Sequence, residues 1–266
     1  MDERNRYLWV DRDLQQEFER LEKQTSYLDQ PSRSRLSGLG LGSNVRCLEV
    51  GPGTGSMTSW MADQGWSVLA MDLSDRFFPA IVRPGVELRV GDIRDAEIDG
   101  EFDLIFARYV LHHLPERQQV VKKLVELLRP GGWLVAEDPV VELMKTLHGT
   151  DALAYFRDLP PRLAEYGIDQ NCGAYLPDLF KEAGLSEISA DGSFCLAFEG
   201  SPGADLLRLG LDLMEETFVP RGLEKAEDFD RRRAQVSAAE FMGTCPVNIS
   251  CKGQRDHSPS VGAKRP

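Results

Sequence analysis

Between Val45 and Glu137 strand-like and helix-like stretches alternate, and that alternation constrains the fold more than any other feature of the chain. The pattern predicts strands over 45–50, 67–72, 86–91, 102–107 and 132–137, with helices over 55–64, near 75–82 and over 115–128. Strands joined through helices build a parallel sheet covered on both faces, so an α/β architecture follows. The helix from Pro115 has the sharpest signals. Proline stands in its first turn, Val120, Val121, Leu124, Leu127 and Leu128 share one face, and Pro130-Gly131-Gly132 stop it.

Around this core, at 45–138, the remaining segments read as additions. Leu14, Phe18, Leu21 and Leu28 recur as one stripe of an amphipathic helix, expected to end near Pro31 and to lead into a glycine-rich linker; residues 1–44 thus form an N-terminal cap and linker. Residues 139–173 read as a helical insertion, with helices over 140–148 and 151–166 broken at Pro160-Pro161. The segment 174–253 returns to the core. It carries a helix over 175–183 closed by Gly184, strands over 185–190 and 194–199, a helical insertion over 203–234 and a last strand over 245–251. Residues 254–266 bury almost nothing and are expected to be disordered.

A chain of 266 residues with 42% hydrophobic content suits one large domain with insertions. Its formal charge of −12 repels a phosphate backbone, which argues against nucleic acid as a partner. Arg231–Arg233, interleaved with Asp228 and Asp230, reads as a solvated helix face. No apolar run reaches the length of a membrane span, and the charged first thirty residues lack a signal core, so a cytoplasmic protein without a membrane partner is expected. The five cysteines form no C-x-x-C pair and read as small hydrophobes in a reducing compartment; neither they nor the four histidines show metal-ligand spacing. Self-association as a homodimer or higher homo-oligomer stays open.

The chemistry concentrates in LEVGPGTGS, Leu48–Ser56, where a strand ends in an acid, a glycine-rich turn follows and a helix begins. Gly51, Gly53 and Gly55 allow a sharp turn and close approach to a ligand. The spacing is G-x-G-x-G, with Ser56 where a dinucleotide fingerprint needs a small residue. Glu49 beside the loop disfavours a pyrophosphate and favours an ammonium. Asp72 closes the next strand, placed to accept from ribose hydroxyls, and Asp92 ends the third, placed to accept from an exocyclic amine.

These motifs, with FDLIFARYVLHHL and LLRPGGWLVAED, resemble the class I S-adenosylmethionine (SAM) dependent methyltransferases over residues 45–138. The resemblance implies a Rossmann-like, mostly parallel seven-stranded sheet of order 3-2-1-4-5-7-6, its seventh strand antiparallel, with helices on both faces and a helical cap. It implies SAM as cofactor and S-adenosylhomocysteine as product. Glu49 would take the methionine ammonium, Asp72 and neighbouring Leu73 the ribose side, Asp92 the adenine amine and the Ile93 N–H the adenine ring. HHLPERQQVVKKLVELLRPGGWLVAEDP and the helical additions further resemble bacterial small-molecule methyltransferases of natural-product pathways. Methyl transfer to an O, N or C atom of a small molecule is therefore expected.

His112 and His113 follow the fourth strand at the lip of this site. Either could be a general base, or could only hydrogen-bond backbone where the next helix starts. Arg108 and Tyr109 would line the same lip. Glu137 and Asp138 are expected to face the same cavity, as base, amine-orienting group or helix cap. Tyr7, Trp9 and Tyr27 could cover adenine or an aromatic acceptor, or pack as core. A nicotinamide-dependent oxidoreductase, which Glu49 and Ser56 count against, and a non-catalytic SAM-binding module are the competing readings.

Overall fold

The computed structural model describes residues 12–257; Tyr7, Trp9 and residues 258–266 lie outside them. The chain runs α1 (Leu14–Ser37), β1 (Arg46–Val50), α2 (Ser56–Asp63), β2 (Ser67–Asp72), α3 (Phe78–Ile81), β3 (Val86–Val90), β4 (Phe102–Arg108), α4 (Arg117–Leu127) and β5 (Leu128–Val140). It continues through β6 (Thr146–His148), α5 (Ala154–Asp158), α6 (Pro160–Ala164), α7 (Leu176–Glu182), β7 (Ser186–Ser193), β8 (Leu196–Phe198), α8 (Pro202–Phe218), α9 (Ala226–Val236), β9 (Met242–Thr244) and β10 (Val247–Gln254).

Seven strands form the main sheet in the order β3-β2-β1-β4-β5-β10-β7. Pairing is parallel from β3 to β5, and β10 runs antiparallel between β5 and β7. Counted along the chain within this sheet, the order is the expected 3-2-1-4-5-7-6. The central strands are buried on both faces. Leu48 and Val50 of β1 pack with Ile105 of β4 and Val121 of α4, while Cys47 packs with Phe106 and with Met57 and Met61 of α2. Such two-sided burial is why these strands read as continuous apolar runs.

Four expectations are corrected. The first helix does not stop near Pro31 but continues to Ser37 with the proline inside it, so most of the expected linker is helix. Proline removes one helical hydrogen bond, yet the following turn is held from outside: Ser32 Oγ lies 2.5 Å from Glu137 Oε2, and Leu36 is fully buried. The segment 140–148 is no helix. β5 runs through Val140, Asn171 Oδ1 accepts from the backbone of Val141 and Glu142 at 3.0 and 3.1 Å, and β6 pairs with β9.

The strand expected over 194–199 is the short β8, and it joins a second, three-stranded sheet β6-β9-β8 rather than the main one. This sheet and α5, α6, α8 and α9 form a C-terminal lobe with its own core, which includes Phe156, Leu211, Phe229 and Phe241. Finally, order extends past residue 253. Gln254 ends β10, and the Arg255 N–H donates to Gly132 O at 2.9 Å. On α9 the basic run is ion-paired, Arg231 with Asp228 and Arg233 with Asp230, Asp212 and Glu215, while Arg232 lies over the Tyr155 ring.

Candidate cofactor and catalytic site

The turn between β1 and α2 holds Gly51, Gly53 and Gly55 at φ +68°, +54° and +81°. A Cβ on Gly51 would stand 2.5 Å from Val110 Cγ2, and one on Gly55 2.5 Å from Ile81 Cγ1. Left-handed backbone conformation at all three positions, and packing at Gly51 and Gly55, therefore disfavour a side chain. The Gly51 N–H donates to Met71 O at 2.8 Å and the Gly91 N–H to Asp72 O at 2.8 Å, so the loops after β1, β2 and β3 stand side by side.

Glu49, Asp72 and Asp92 meet along this edge in three different environments. Glu49 is buried on the α2 face of β1, where the Thr58 hydroxyl donates to its Oε2. Burial pushes its carboxyl up to about 7, against the pull of Thr58 and Arg108. Burial also raises Asp72, although backbone N–H groups of Ser74, Leu73 and Gly53 favour its charged form. At Asp92 burial acts upward too, but Arg94 wins and the carboxyl lies low: the guanidinium Nε is 3.0 Å from both oxygens and Nη2 is 2.6 Å from Oδ2. A ligand amine at Asp92 would share an occupied carboxylate. Leu73 is half exposed beside Asp72, and the Ile93 side chain is buried in the core.

Helix α1 roofs the edge through polar ties. Arg108 donates to Asp29 Oδ1 at 2.9 Å and to Ser32 Oγ at 3.1 Å, and Ser56 Oγ, at the start of α2, donates to Asp29 Oδ1 at 2.9 Å. The guanidinium expected to line the pocket is thus engaged with the roof. Tyr109, next to it, is a non-glycine residue at φ +57°, a conformation that costs about 1–3 kcal/mol. Its phenol lies 3.0 Å from that of Tyr27 on α1.

Glu137 and Asp138 do not share a cavity, because neighbours on a strand point to opposite faces. Glu137 lies under α1, held by Ser32, by Arg35 at 3.3 Å and by Asn248 at 3.4 Å. Asp138 lies on the other face, its Oδ1 2.7 Å from His112 Nδ1 and 3.2 Å from the His112 backbone N–H. Both members of this pair are buried. Burial pushes Asp138 up to about 8 and holds the His112 imidazole far below its usual range, so the pair shares a proton in its neutral form. The turn carrying His112 is pinned by the Asp169 N–H on His112 O at 2.8 Å and by Arg117 Nε on Leu111 O at 3.1 Å. The His113 ring lies against that of His112, with centroids 3.8 Å apart and planes tilted by 40°, and burial lowers its pKa as well.

Residues 48–136, the span that carries the glycine turn, the three acids and the His112 turn, match the family model described as a methyltransferase domain. This span, about a third of the chain, is similar to that family. Among curated proteins the chain is similar to methyltransferase str3 of Strobilurus tenacellus, 29% identical over 65% of this chain and 65% of that protein. It is also similar to trans-aconitate 2-methyltransferase of Mycobacterium tuberculosis, 26% identical over 43% of this chain and 45% of the relative. The matches span less than two thirds of either relative. Two solved structures share the fold. They are the YcgJ protein of a Bacillus, with a TM-score of 0.56 at 15% identity over 84% of this chain and 97% of that one, and a phosphoethanolamine N-methyltransferase of Haemonchus contortus, with 0.51 at 16% over 81% and 50%.

Within the matched span, sequence reasoning passed over Thr58 and Arg94, and on the roof Asp29 and Ser32. Thr58 had a signal: it stands on the buried face of an eight-residue helix that follows the loop beside Glu49. Asp29, Ser32 and Arg35 form a polar stripe spaced by three, visible only once the helix is carried through Pro31.

Proposed function

We propose that this chain is a SAM-dependent methyltransferase acting on a small molecule. The observation that carries the reading is the set of three acids, Glu49, Asp72 and Asp92, gathered around a loop whose Gly51 and Gly55 have no room for a Cβ. Bound SAM would supply an electrophilic methyl on a sulfonium, and its transfer to an O, N or C nucleophile would leave S-adenosylhomocysteine.

The residues present fit that cofactor. Glu49, a buried carboxyl poised to ionise, would hold the methionine ammonium. Asp72, with half-exposed Leu73 beside it, would take the ribose side; Asp92 and the Ile93 N–H would take adenine, with Arg94 sharing the Asp92 carboxylate. Arg108 would tie α1 down over the bound cofactor and bias Glu49 toward its charged form. Much of the acceleration would come from alignment of donor and acceptor, because a sulfonium is already activated.

The His112–Asp138 pair is the candidate proton acceptor. With Asp138 ionised, the His112 Nδ1–H donates to it and Nε2 is left to accept a proton from the acceptor. His113 lies against this ring at a tilt of 40°. A relative named for trans-aconitate supports a small acceptor, as does the roof formed by α1. The sequence resemblance to bacterial natural-product methyltransferases favours a secondary metabolite as acceptor.

Calorimetric titration with SAM, S-adenosylhomocysteine and NADH tests the reading. Micromolar binding of the first two with none of NADH is expected, weakened by about 1–3 kcal/mol in Asp72→Ala. NADH binding, or an Asp72→Ala variant with unchanged SAM affinity, would overturn it.

A further inference from the structure

The small sheet of the C-terminal lobe carries a cysteine pair that methyl transfer leaves unused. Leu196 stands opposite Thr244 and Ala197 opposite Gly243 in the antiparallel β8–β9 pairing, so the next position sets Cys195 opposite Cys245. The Cys245 N–H donates to Cys195 O at 3.0 Å, which makes this a hydrogen-bonded cross-strand site. Cα atoms at such sites stand about 5.5 Å apart, inside the ~4.4–6.8 Å that a disulfide spans. The Cys245 thiol donates to Gly203 O at 3.4 Å. Cys245 is buried and Cys195 half-buried, whereas Cys47, Cys172 and Cys251 are all buried and lie elsewhere, on β1, in the turn before α7 and on β10.

We propose that Cys195 and Cys245 form a peroxide-reactive dithiol, a modification site at which a hydroperoxide links β8 to β9 through a reversible disulfide. The chemistry divides between the two sulfurs. The Cys245 side chain lowers the Cys195 thiol and outweighs burial, and the partial exposure of Cys195 admits a small oxidant. The Cys195 thiolate attacks the peroxide, the O–O bond breaks, and Cys195 becomes a sulfenic acid while the alcohol or water leaves. Cys245 then gives up its proton, its sulfur attacks the Cys195 sulfur, the S–O bond breaks and water departs. In sum, two thiols and one hydroperoxide give one disulfide, one alcohol and one water; sulfur is oxidised and the peroxide oxygens are reduced.

The test treats the folded full chain with hydrogen peroxide, blocks remaining thiols in denaturant and maps the peptides by mass spectrometry. The expected product has lost two hydrogens, contains peptides of Cys195 and Cys245 joined to each other, and returns to five alkylatable thiols after dithiothreitol. In C245S a dimedone adduct should collect on Cys195, and in C195S the loss of two hydrogens should vanish. The proposal is overturned if all five thiols stay alkylatable at a dose that consumes free glutathione, or if Cys195 passes to a sulfinic acid or joins a different cysteine. The wild-type map decides the matter even where a serine variant does not fold.

Discussion

Glu49→Gln removes a carboxyl that burial holds near the middle of the physiological pH range. In the free protein that group has a pKa of about 7, so it is about half ionised at neutrality. An ammonium ligand binds the ionised form, and binding therefore drives a proton off. The sign follows directly: the raised pKa leaves Glu49 neutral at low pH, and affinity grows as pH rises through about 7. Between pH 8 and pH 6 the ionised fraction falls about tenfold, so the dissociation constant for S-adenosylhomocysteine should weaken about tenfold, ~1.4 kcal/mol. In Glu49→Gln that slope should vanish, because no group at this position titrates. The affinity at pH 8 should also drop by about 1.5–3 kcal/mol, the worth of a hydrogen bond to a charged group. The amide oxygen can still accept from Thr58, which keeps the fold. The assay is isothermal titration calorimetry at several pH values in two buffers of different ionisation enthalpy, which separates proton release from binding. Equal affinity at pH 6 and pH 8 in the wild type, or a slope that survives in Glu49→Gln, would refute the role given to this carboxylate.

Asp138→Asn should leave a carbonyl oxygen to accept from the His112 backbone N–H and Nδ1–H but remove the negative charge that makes the imidazole basic, and with it the proton acceptor. A fall in kcat of roughly 10²–10⁴ is expected, with SAM affinity retained, together with loss of a wild-type rise in kcat through the pair's apparent pKa near 8. An unchanged pH–rate profile would remove the pair from the mechanism. Arg108→Ala should cut the ties to Asp29 and Ser32 and cost α1 about 1.5–3 kcal/mol of local stability. Amide hydrogen exchange should then quicken in 14–37 while β1 and β4 keep their protection; equal exchange in α1 would show that apolar contacts alone hold the roof.

The glycine turn, the acids after the first three strands and the central strands were all legible in the chain, because each is local. A strand buried on both faces must be an apolar run, and a turn with no room for Cβ must be glycine. What escaped was set by partners far along the chain. Pro31 looked like a stop because the residues that sustain the helix beyond it, Glu137 and Arg108, lie on strands about a hundred residues away. The segment 140–148 read as helix because its backbone partners, Asn171 and Thr244, come from distant turns and strands. Even Glu137 and Asp138 were placed together although the period of two in a strand sends them apart.

By itself, then, the sequence determined the run of strands and helices from β1 to β5 and the glycines of the loop at Gly51–Gly55, since backbone sterics and burial leave few other residues possible there. Only the tertiary structure decided which carboxylate meets which partner: Asp92 with Arg94, Glu137 with α1, Asp138 with His112. Titration and hydrogen bonding depend on what surrounds a side chain in space. The field that brings Glu49 to about 7 and Asp138 to about 8 is made by burial, which exists only once the sheet and its helices have closed.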